Sequence, residues 1–236
     1  MKAAFGFLSA LPFAGAPRRS TLGFFAVVGA VLGAFIAVVG IGVARVGAAP
    51  VAAVAMLAAD LGLTGMLHVD GLADCGDGLL SSLPPERRRE IMKSPEIGAF
   101  GVTTVAVVLL ARFVGFWELS AAGMLLLIAP VWSFSRLAMA AALRWGRYLT
   151  RGGIGTYFEG AVMPWWLALA LAAMLVVAAW VLGGVRGLAA LAGVVAGFGG
   201  TVALAYRRIG GLTGDVLGAA GVVGETLGLL VGGLRW

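Results

Sequence analysis

The sequence predicts an all-α protein, a polytopic membrane helical bundle of about seven transmembrane helices with a cytoplasmic N-terminus. Hydrophobic residues make up 61% of the 236 residues, and charged residues make up only 12%. The mean hydropathy is +1.03, whereas a typical soluble domain has about twice this share of charged residues. Apolar stretches long enough to cross about 30 Å of hydrocarbon also recur along the chain.

The elements follow from these stretches. The predicted spans are 22–44, 49–67, 99–117, 119–143, 164–182, 187–206 and 216–234. The spans contain GxxxG pairs, which indicate close helix packing in membranes. These pairs are Gly29 with Gly33, Gly193 with Gly197, and Gly224 with Gly228. Between the second and third spans, two prolines predict a turn and then a short helix over about 86–93.

Basic residues orient the chain, because lysine and arginine concentrate in the cytoplasmic loops of membrane proteins. With the N-terminus inside, the inner segments hold Lys2, Arg18, Arg19, Arg87, Arg88, Arg89, Lys93, Arg144, Arg147, Arg151, Arg207 and Arg208. The outer segments hold Arg45, Arg186 and Arg235. This topology predicts one membrane domain, 1–236, in the cytoplasmic membrane, with catalytic loops around 68–98, 144–163 and 206–215 in the cytoplasm. The net charge of +6 then reflects topology and does not indicate nucleic-acid binding.

Three aspartates follow the second span. Asp70, Asp74 and Asp77 are spaced i, i+4 and i+7, so at about 100° per residue they share one face of a helix. Clustered carboxylates repel one another unless a cation lies between them. Mg²⁺ takes oxygen ligands and keeps positions for waters and phosphates, so the sequence predicts a Mg²⁺ site here. A solvated helix face paired with neighbouring arginines would have the same spacing.

Two loops carry candidate phosphate-binding groups. Arginine and lysine on the short helix over 86–93 can hold phosphate oxygens, or can act as a positive-inside anchor. The segment 210–215, Gly-Gly-Leu-Thr-Gly-Asp, precedes the last helix, where backbone N–H groups and the helix dipole favour an anion. Asp215 suits a metal that bridges to that anion. We therefore expect Asp215 to lie beside the aspartate helix, although an ordinary tight turn would explain the glycines equally well.

Three charged residues lie inside predicted spans at similar depth. Asp60, Arg136 and Glu225 are roughly 12 to 15 Å from the cytoplasmic ends at about 1.5 Å per residue. An unpaired charge at that depth costs several kcal/mol, so we expect Arg136 to pair with Asp60 or Glu225. The alternative is that Arg136 extends toward the aspartates and contacts substrate phosphate.

Several segments together resemble the cobalamin synthase family, the adenosylcobinamide-GDP ribazoletransferases. They are Phe7 to Pro12, His68 to Gly78, Glu90 to Lys93 with Ile97 to Gly101, Ser135 with Arg136, and Gly210 to Ala219 ahead of Glu225. The resemblance extends over essentially the whole chain. The sequence departs from the family pattern at 94–96 and around 149–155.

The resemblance implies a Mg²⁺-dependent transferase of cobalamin biosynthesis. A ribose hydroxyl of α-ribazole, or of its 5′-phosphate, attacks the cobinamide-linked phosphorus of adenosylcobinamide-GDP, and GMP leaves. From the resemblance, we expect a metal ion to be bound by Asp70, Asp74, Asp77 and Asp215. His68 or one of these aspartates would accept the hydroxyl proton. The expected phosphate-binding residues are Arg87, Arg88, Lys93, Arg136, Arg151, Gly211 and Gly214.

Two other functions stay open at this point. A CDP-alcohol phosphotransferase also uses clustered aspartates, but its Asp-Gly-x-x-Ala-Arg run is missing after Asp77. An ion-coupled transporter would explain Asp60 and Glu225 inside spans, although no repeat is evident. The expected partners are the two substrates and the lipid bilayer, with no nucleic acid. The sequence leaves a homo-oligomer open.

Overall fold

A computed structural model describes residues 1–13, 20–149 and 162–234. In these ranges the chain is helical. The α-helices are α1 Lys2–Leu8, α2 Phe25–Ala44, α3 Ala49–Thr64, α4 Leu67–Leu80, α5 Pro85–Ile91, α6 Ala99–Ala121, α7 Ile128–Trp145, α8 Trp165–Ile209 and α9 Gly214–Gly233. Short 3₁₀ turns, Thr21–Phe24 and Leu125–Leu127, precede α2 and α7.

The number of membrane passes agrees with the prediction. Five described helices are long and apolar enough to span a membrane, and α3 with α4, which meet at 90°, form a sixth candidate. The 45 residues of α8 would extend about 70 Å, more than twice the hydrocarbon thickness. This helix breaks at Gly184 (φ 54°, ψ −133°), and a Cβ at Gly187 would overlap the Ala179 carbonyl group. The chain therefore reverses at the break, and separate counting of the two arms gives the seventh pass.

Two predicted boundaries are wrong. The span predicted over 119–143 begins later, because α6 continues to Ala121 and α7 starts only at Ile128. The span predicted over 49–67 ends at Thr64, because Gly65 (φ 58°) and Met66 (φ 60°) turn the chain into α4. Apolar residues continue through both turns, so hydropathy alone did not reveal them. The short helix predicted over 86–93 is confirmed as α5.

Glycine lets the spanning helices approach closely, as the GxxxG pairs predicted. A Cβ at Gly29 or Gly33 of α2 would lie within 2.8 Å of the backbone of α7. Gly193 and Gly197 of α8 pack in the same way against α9, the first beside Gly228 and the second beside Gly224. Helices in lipid have no hydrophobic force that drives them together, so this close backbone packing supplies much of their attraction.

Two arginines and two carboxylates form a buried ionic network between four helices. Arg112 of α6 lies 2.9 Å from Asp60 of α3 and 2.6 Å from Glu225 of α9. Arg136 of α7 pairs with the other oxygen of Glu225. The Trp132 indole donates a 3.2 Å hydrogen bond to Asp60, and its ring lies 4.7 Å from the Arg112 guanidinium carbon. The four charges balance, so the network buries no net charge.

The contacts of the network can be compared with two predictions made from the sequence. Pairing of Arg136 with Asp60 or Glu225 is confirmed for Glu225. Asp60 pairs instead with Arg112, a partner that the sequence does not predict. Because both buried carboxylates are neutralised by arginines, they no longer favour an ion-coupled transporter.

We predict that Arg136→Met and Arg112→Met each lower the thermal midpoint of unfolding of the purified protein in detergent. Removal of one partner leaves a buried carboxylate under-compensated, which typically destabilises by about 3–5 kcal/mol. Arg144→Met, at the exposed end of the same α7, is the control and keeps the wild-type midpoint. A wild-type midpoint in Arg136→Met would show that the Glu225 pair has no structural role.

Candidate active site

The helix α4 turns by 90° from α3 and packs on the first turns of α9 and α6 at one end of the bundle, and we call this end the α4 face. Glycines beside the aspartates allow the contact. A Cβ at Gly71 would lie 2.8 Å from the Cα of Asp215, and a Cβ at Gly76 would lie 2.9 Å from the Cα of Gly101. The first turns of α9 and α6 therefore pack directly on α4. The expected proximity of Asp215 to the aspartate helix is confirmed.

Asp70, Asp74 and Asp215 form a cluster of negative charge at the α4 face. Asp70 is exposed, and the other two are half-buried. Burial, followed by repulsion from Asp215, Asp70 and Asp77, raises the pKa of Asp74 to about 7. Within the described ranges, none of the three forms an ion pair with a basic side chain. The predicted alternative, an aspartate face paired with neighbouring arginines, therefore has no support among these residues.

Asp77 is held differently from the other aspartates. Its two carboxylate oxygens accept hydrogen bonds from the backbone N–H groups of Gly98 (2.7 Å) and Gly101 (2.8 Å). These groups belong to the first turn of α6, where unpaired N–H groups and the helix dipole favour a carboxylate. A Cβ at Gly98 would lie 2.6 Å from an Asp77 oxygen, so the glycine makes room for the bond. Asp77 thus ties α4 to α6, and its predicted metal role is untested.

His68 lies on the buried side of α4, against α9. A Cβ at Gly218 would come within 3.3 Å of the imidazole ring. Burial, with the nearby Arg136 charge adding to it, lowers the pKa of His68 to about 3. The imidazole is therefore neutral at physiological pH and is a weak proton acceptor.

Two of the predicted phosphate ligands make contacts within the protein. Arg88 is buried, and its guanidinium donates hydrogen bonds to the carbonyl oxygens of Leu83 (2.6 Å), Gly78 (2.9 Å) and Leu79 (2.8 Å). It closes the carboxyl end of α4 in this way. Arg136 is held in the buried ionic network. We therefore leave Arg88 and Arg136 out of the proposed phosphate-binding set.

Arg87 and Lys93 lie on the exposed surface around α5. Arg87 forms a 2.6 Å pair with Glu90, and the two side chains are 64% and 62% exposed. An exposed pair of this kind contributes little to stability, so Arg87 can exchange Glu90 for another anion. Arg151 lies outside the described residues.

Close packing accounts for Gly211 ahead of α9. Leu212 exchanges backbone hydrogen bonds of 2.8 and 2.9 Å with residues 147–149. A Cβ at Gly211 would lie 2.6 Å from a carbonyl oxygen of that segment, and one at Gly214 would lie 3.4 Å from the Tyr148 hydroxyl group. The turn therefore requires glycine at 211 for close approach. Phosphate binding by Gly211 and Gly214 stays a prediction.

The cluster suits a hard divalent cation. Within the described part of the chain, no three His, Cys, Asp or Glu side chains form a ready-made metal site. Mg²⁺ does not require one, because it is usually held by one or two carboxylates together with waters and substrate phosphates. Asp74 and Asp215 supply carboxylates from two helices. The pKa of Asp74 is raised first by burial and then by repulsion from the neighbouring carboxylates, and a cation would relieve that repulsion. The residues present thus fit Mg²⁺.

We predict that Asp77→Asn lowers the thermal midpoint, whereas Asp70→Asn and Asp74→Asn do not. The amide has one acceptor oxygen where the carboxylate has two, so one N–H group of α6 loses its partner, at about 1–3 kcal/mol. Asp70→Asn and Asp74→Asn relieve repulsion instead. Thermal unfolding of the three purified variants decides this. Equal midpoints in all three would contradict the capping role of Asp77.

Comparisons with known proteins identify the family. A sequence profile described as cobalamin-5-phosphate synthase matches residues 1–233. An adenosylcobinamide-GDP ribazoletransferase of Listeria monocytogenes serotype 4b (strain CLIP80459) is 34% identical over 197 residues, covering 79% of this chain and 75% of the relative. Its namesake from Listeria welshimeri serovar 6b is 35% identical over 222 residues, covering 89% and 84%.

No solved structure matches the chain. The profile covers all nine described helices and both sides of the candidate site. It favours the ribazoletransferase interpretation over a CDP-alcohol phosphotransferase. The chain belongs to the cobalamin-5-phosphate synthase family.

Proposed function

We propose that the α4 face is the active site of an adenosylcobinamide-GDP ribazoletransferase. This family member joins adenosylcobinamide-GDP to α-ribazole, or to its 5′-phosphate, in the last assembly step of cobalamin biosynthesis. The observation that carries the placement of the site is the contact between α4 and the start of α9. That contact gathers Asp70, Asp74 and Asp215 into one cluster without an arginine or lysine partner among the described residues.

The reaction exchanges one phosphorus–oxygen bond for another. A ribose hydroxyl oxygen of the acceptor forms a bond to the cobinamide-linked phosphorus, and the bond from this phosphorus to the bridging oxygen of the diphosphate breaks. GMP leaves with that oxygen, and the hydroxyl proton passes to a base at the site. Such a transfer depends mainly on positioning and on neutralisation of charge.

The residues of the α4 face divide these tasks. Asp70, Asp74 and Asp215 would hold Mg²⁺, which neutralises diphosphate charge when bound. Arg87 and Lys93 would contact the phosphate oxygens, because both are exposed beside α4. Asp77 positions α4 against α6. Asp74, whose pKa is raised to about 7 by burial and by the neighbouring carboxylates, is a stronger base than His68, whose pKa burial lowers to about 3.

We infer that the α4 face is turned to the cytosol. The basic residues of α5 and of the end of α8 flank it, and such residues are enriched on the cytoplasmic side of membrane proteins. Both substrates carry polar or charged groups and would reach the site from water. On this basis the multi-pass chain resides in the cytoplasmic membrane, with the bilayer around its apolar helices.

We predict that Asp70→Asn, Asp74→Asn and Asp215→Asn each reduce GMP release from adenosylcobinamide-GDP about 100-fold or more, as expected when charge stabilisation is lost at a reacting phosphate. Glu86→Gln, which removes an exposed carboxylate of α5, is the matched control and keeps the wild-type rate. Chelation of divalent cations stops the reaction, and added Mg²⁺ restores it. Near-normal rates in two of the three aspartate variants, with folding intact, would reduce the cluster to a solvated surface.

A further inference from the structure

An apolar pocket opens beside Asp215, between α1, α2, α4, α7 and α9. The empty space at this place, counted together with the open solvent in front of it, is about 550 Å³. Aromatic and aliphatic side chains form most of its wall, among them Phe7, Phe25, Met139 and Leu143. The rings of Phe7 and Phe25 stack with centroids 5.7 Å apart.

The wall of the pocket also contains polar residues. Asp215 and His68 line it together with Tyr148. Asp215 is also the α9 member of the aspartate cluster, so the pocket and the proposed metal site share a residue. A small molecule in the pocket would therefore present its polar end to the aspartates.

We propose that this pocket binds the benzimidazole base of the acceptor, α-ribazole, and directs its ribose to Asp215. The inference rests on the proposed function and names the place of one substrate within that site. A benzimidazole is flat, aromatic and largely apolar, and it suits a pocket walled by aromatic side chains.

The other substrate does not suit the pocket. Adenosylcobinamide-GDP carries a corrinoid ring with amide side chains as well as a charged nucleotide, and both demand a large polar surface. The exposed outer side of the α4 face, with Asp70, Arg87 and Lys93, offers such a surface. The two substrates would then meet at the aspartates from opposite sides. A base fixed in the pocket also restricts the ribose, which lowers the entropic cost of bringing the hydroxyl group to the phosphorus.

Two leucines at the ends of α4 allow a matched test. Leu67 lines the pocket and is 47% exposed, whereas Leu80, at the other end of the helix, is 46% exposed and outside the pocket. Leu67→Trp places a large ring at the pocket wall, and Leu80→Trp makes the same change elsewhere. Because both positions are exposed, both variants are expected to fold. Leu143→Trp fills the pocket from α7.

The measurements are GMP release at varied concentrations of each substrate, and inhibition by benzimidazole, which lacks the ribose. We expect Leu67→Trp and Leu143→Trp to raise the KM for α-ribazole about tenfold or more, the range for a steric misfit in an apolar pocket. The KM for adenosylcobinamide-GDP stays at the wild-type value in both, and Leu80→Trp matches the wild type throughout. Benzimidazole competes with α-ribazole in the wild type and inhibits Leu67→Trp less strongly.

Other results overturn the proposal. A wild-type KM for α-ribazole in Leu67→Trp, with benzimidazole still competing, places the base elsewhere. If Leu67→Trp keeps the wild-type KM for α-ribazole but loses a lipid that co-purifies with the wild type, the pocket holds an acyl chain. Leu67→Trp and Leu80→Trp decide the question if Leu143→Trp does not fold. Absence of GMP release from the wild type would instead contradict the proposed function, so the two failures are distinguishable.

Discussion

Balanced charge inside the membrane is the constraint on which the arrangement of the helices depends. Arg112, Asp60, Glu225 and Arg136 come from α6, α3, α9 and α7, and each is at most 7% exposed. In a low-dielectric interior, none of these charges is tolerated without its partners. The network therefore fixes the relative positions of α3, which leads into α4, and of α9, whose first turn carries Asp215. Both halves of the aspartate cluster depend on these two helices.

The aspartate cluster also depends on a local feature, the close helix packing that glycine allows. Gly71 and Gly76 bring α4 into backbone contact with α9 and α6, and Asp77 completes the α6 junction with two hydrogen bonds. The alternation of aspartate and glycine in 70–78 thus serves two purposes. Glycine supplies the close packing, and aspartate supplies the charge. A larger residue at 71 would separate Asp215 from α4, and this would disperse the proposed metal site.

Much of this arrangement follows from the sequence, because hydropathy and charge act locally. Hydropathy located the apolar spans, and the depth of Arg136 and Glu225 predicted their contact. The turn at Gly65 and Met66 could not be predicted, since apolar residues surround it and a positive φ at Met66 has no sequence signal. The partner of Asp60 could not be predicted either. Arg112 lies inside a span, but depth alone does not say which helices are neighbours. Arg88 and Asp77 share residue type and spacing with their neighbours, and only tertiary contacts distinguish their roles.

In the proposed site, carboxylates from α4 and α9 together hold one divalent cation. Mn²⁺ binding to the purified protein, followed by electron paramagnetic resonance, tests this without turnover, because Mn²⁺ accepts the same oxygen ligands as Mg²⁺. We expect one Mn²⁺ that Mg²⁺ displaces, with affinity about tenfold weaker or more in both Asp74→Asn and Asp215→Asn. Glu90→Gln binds as the wild type does. Wild-type affinity in Asp215→Asn, with weakened binding in Asp74→Asn, would show that α9 takes no part in the site and would contradict the account.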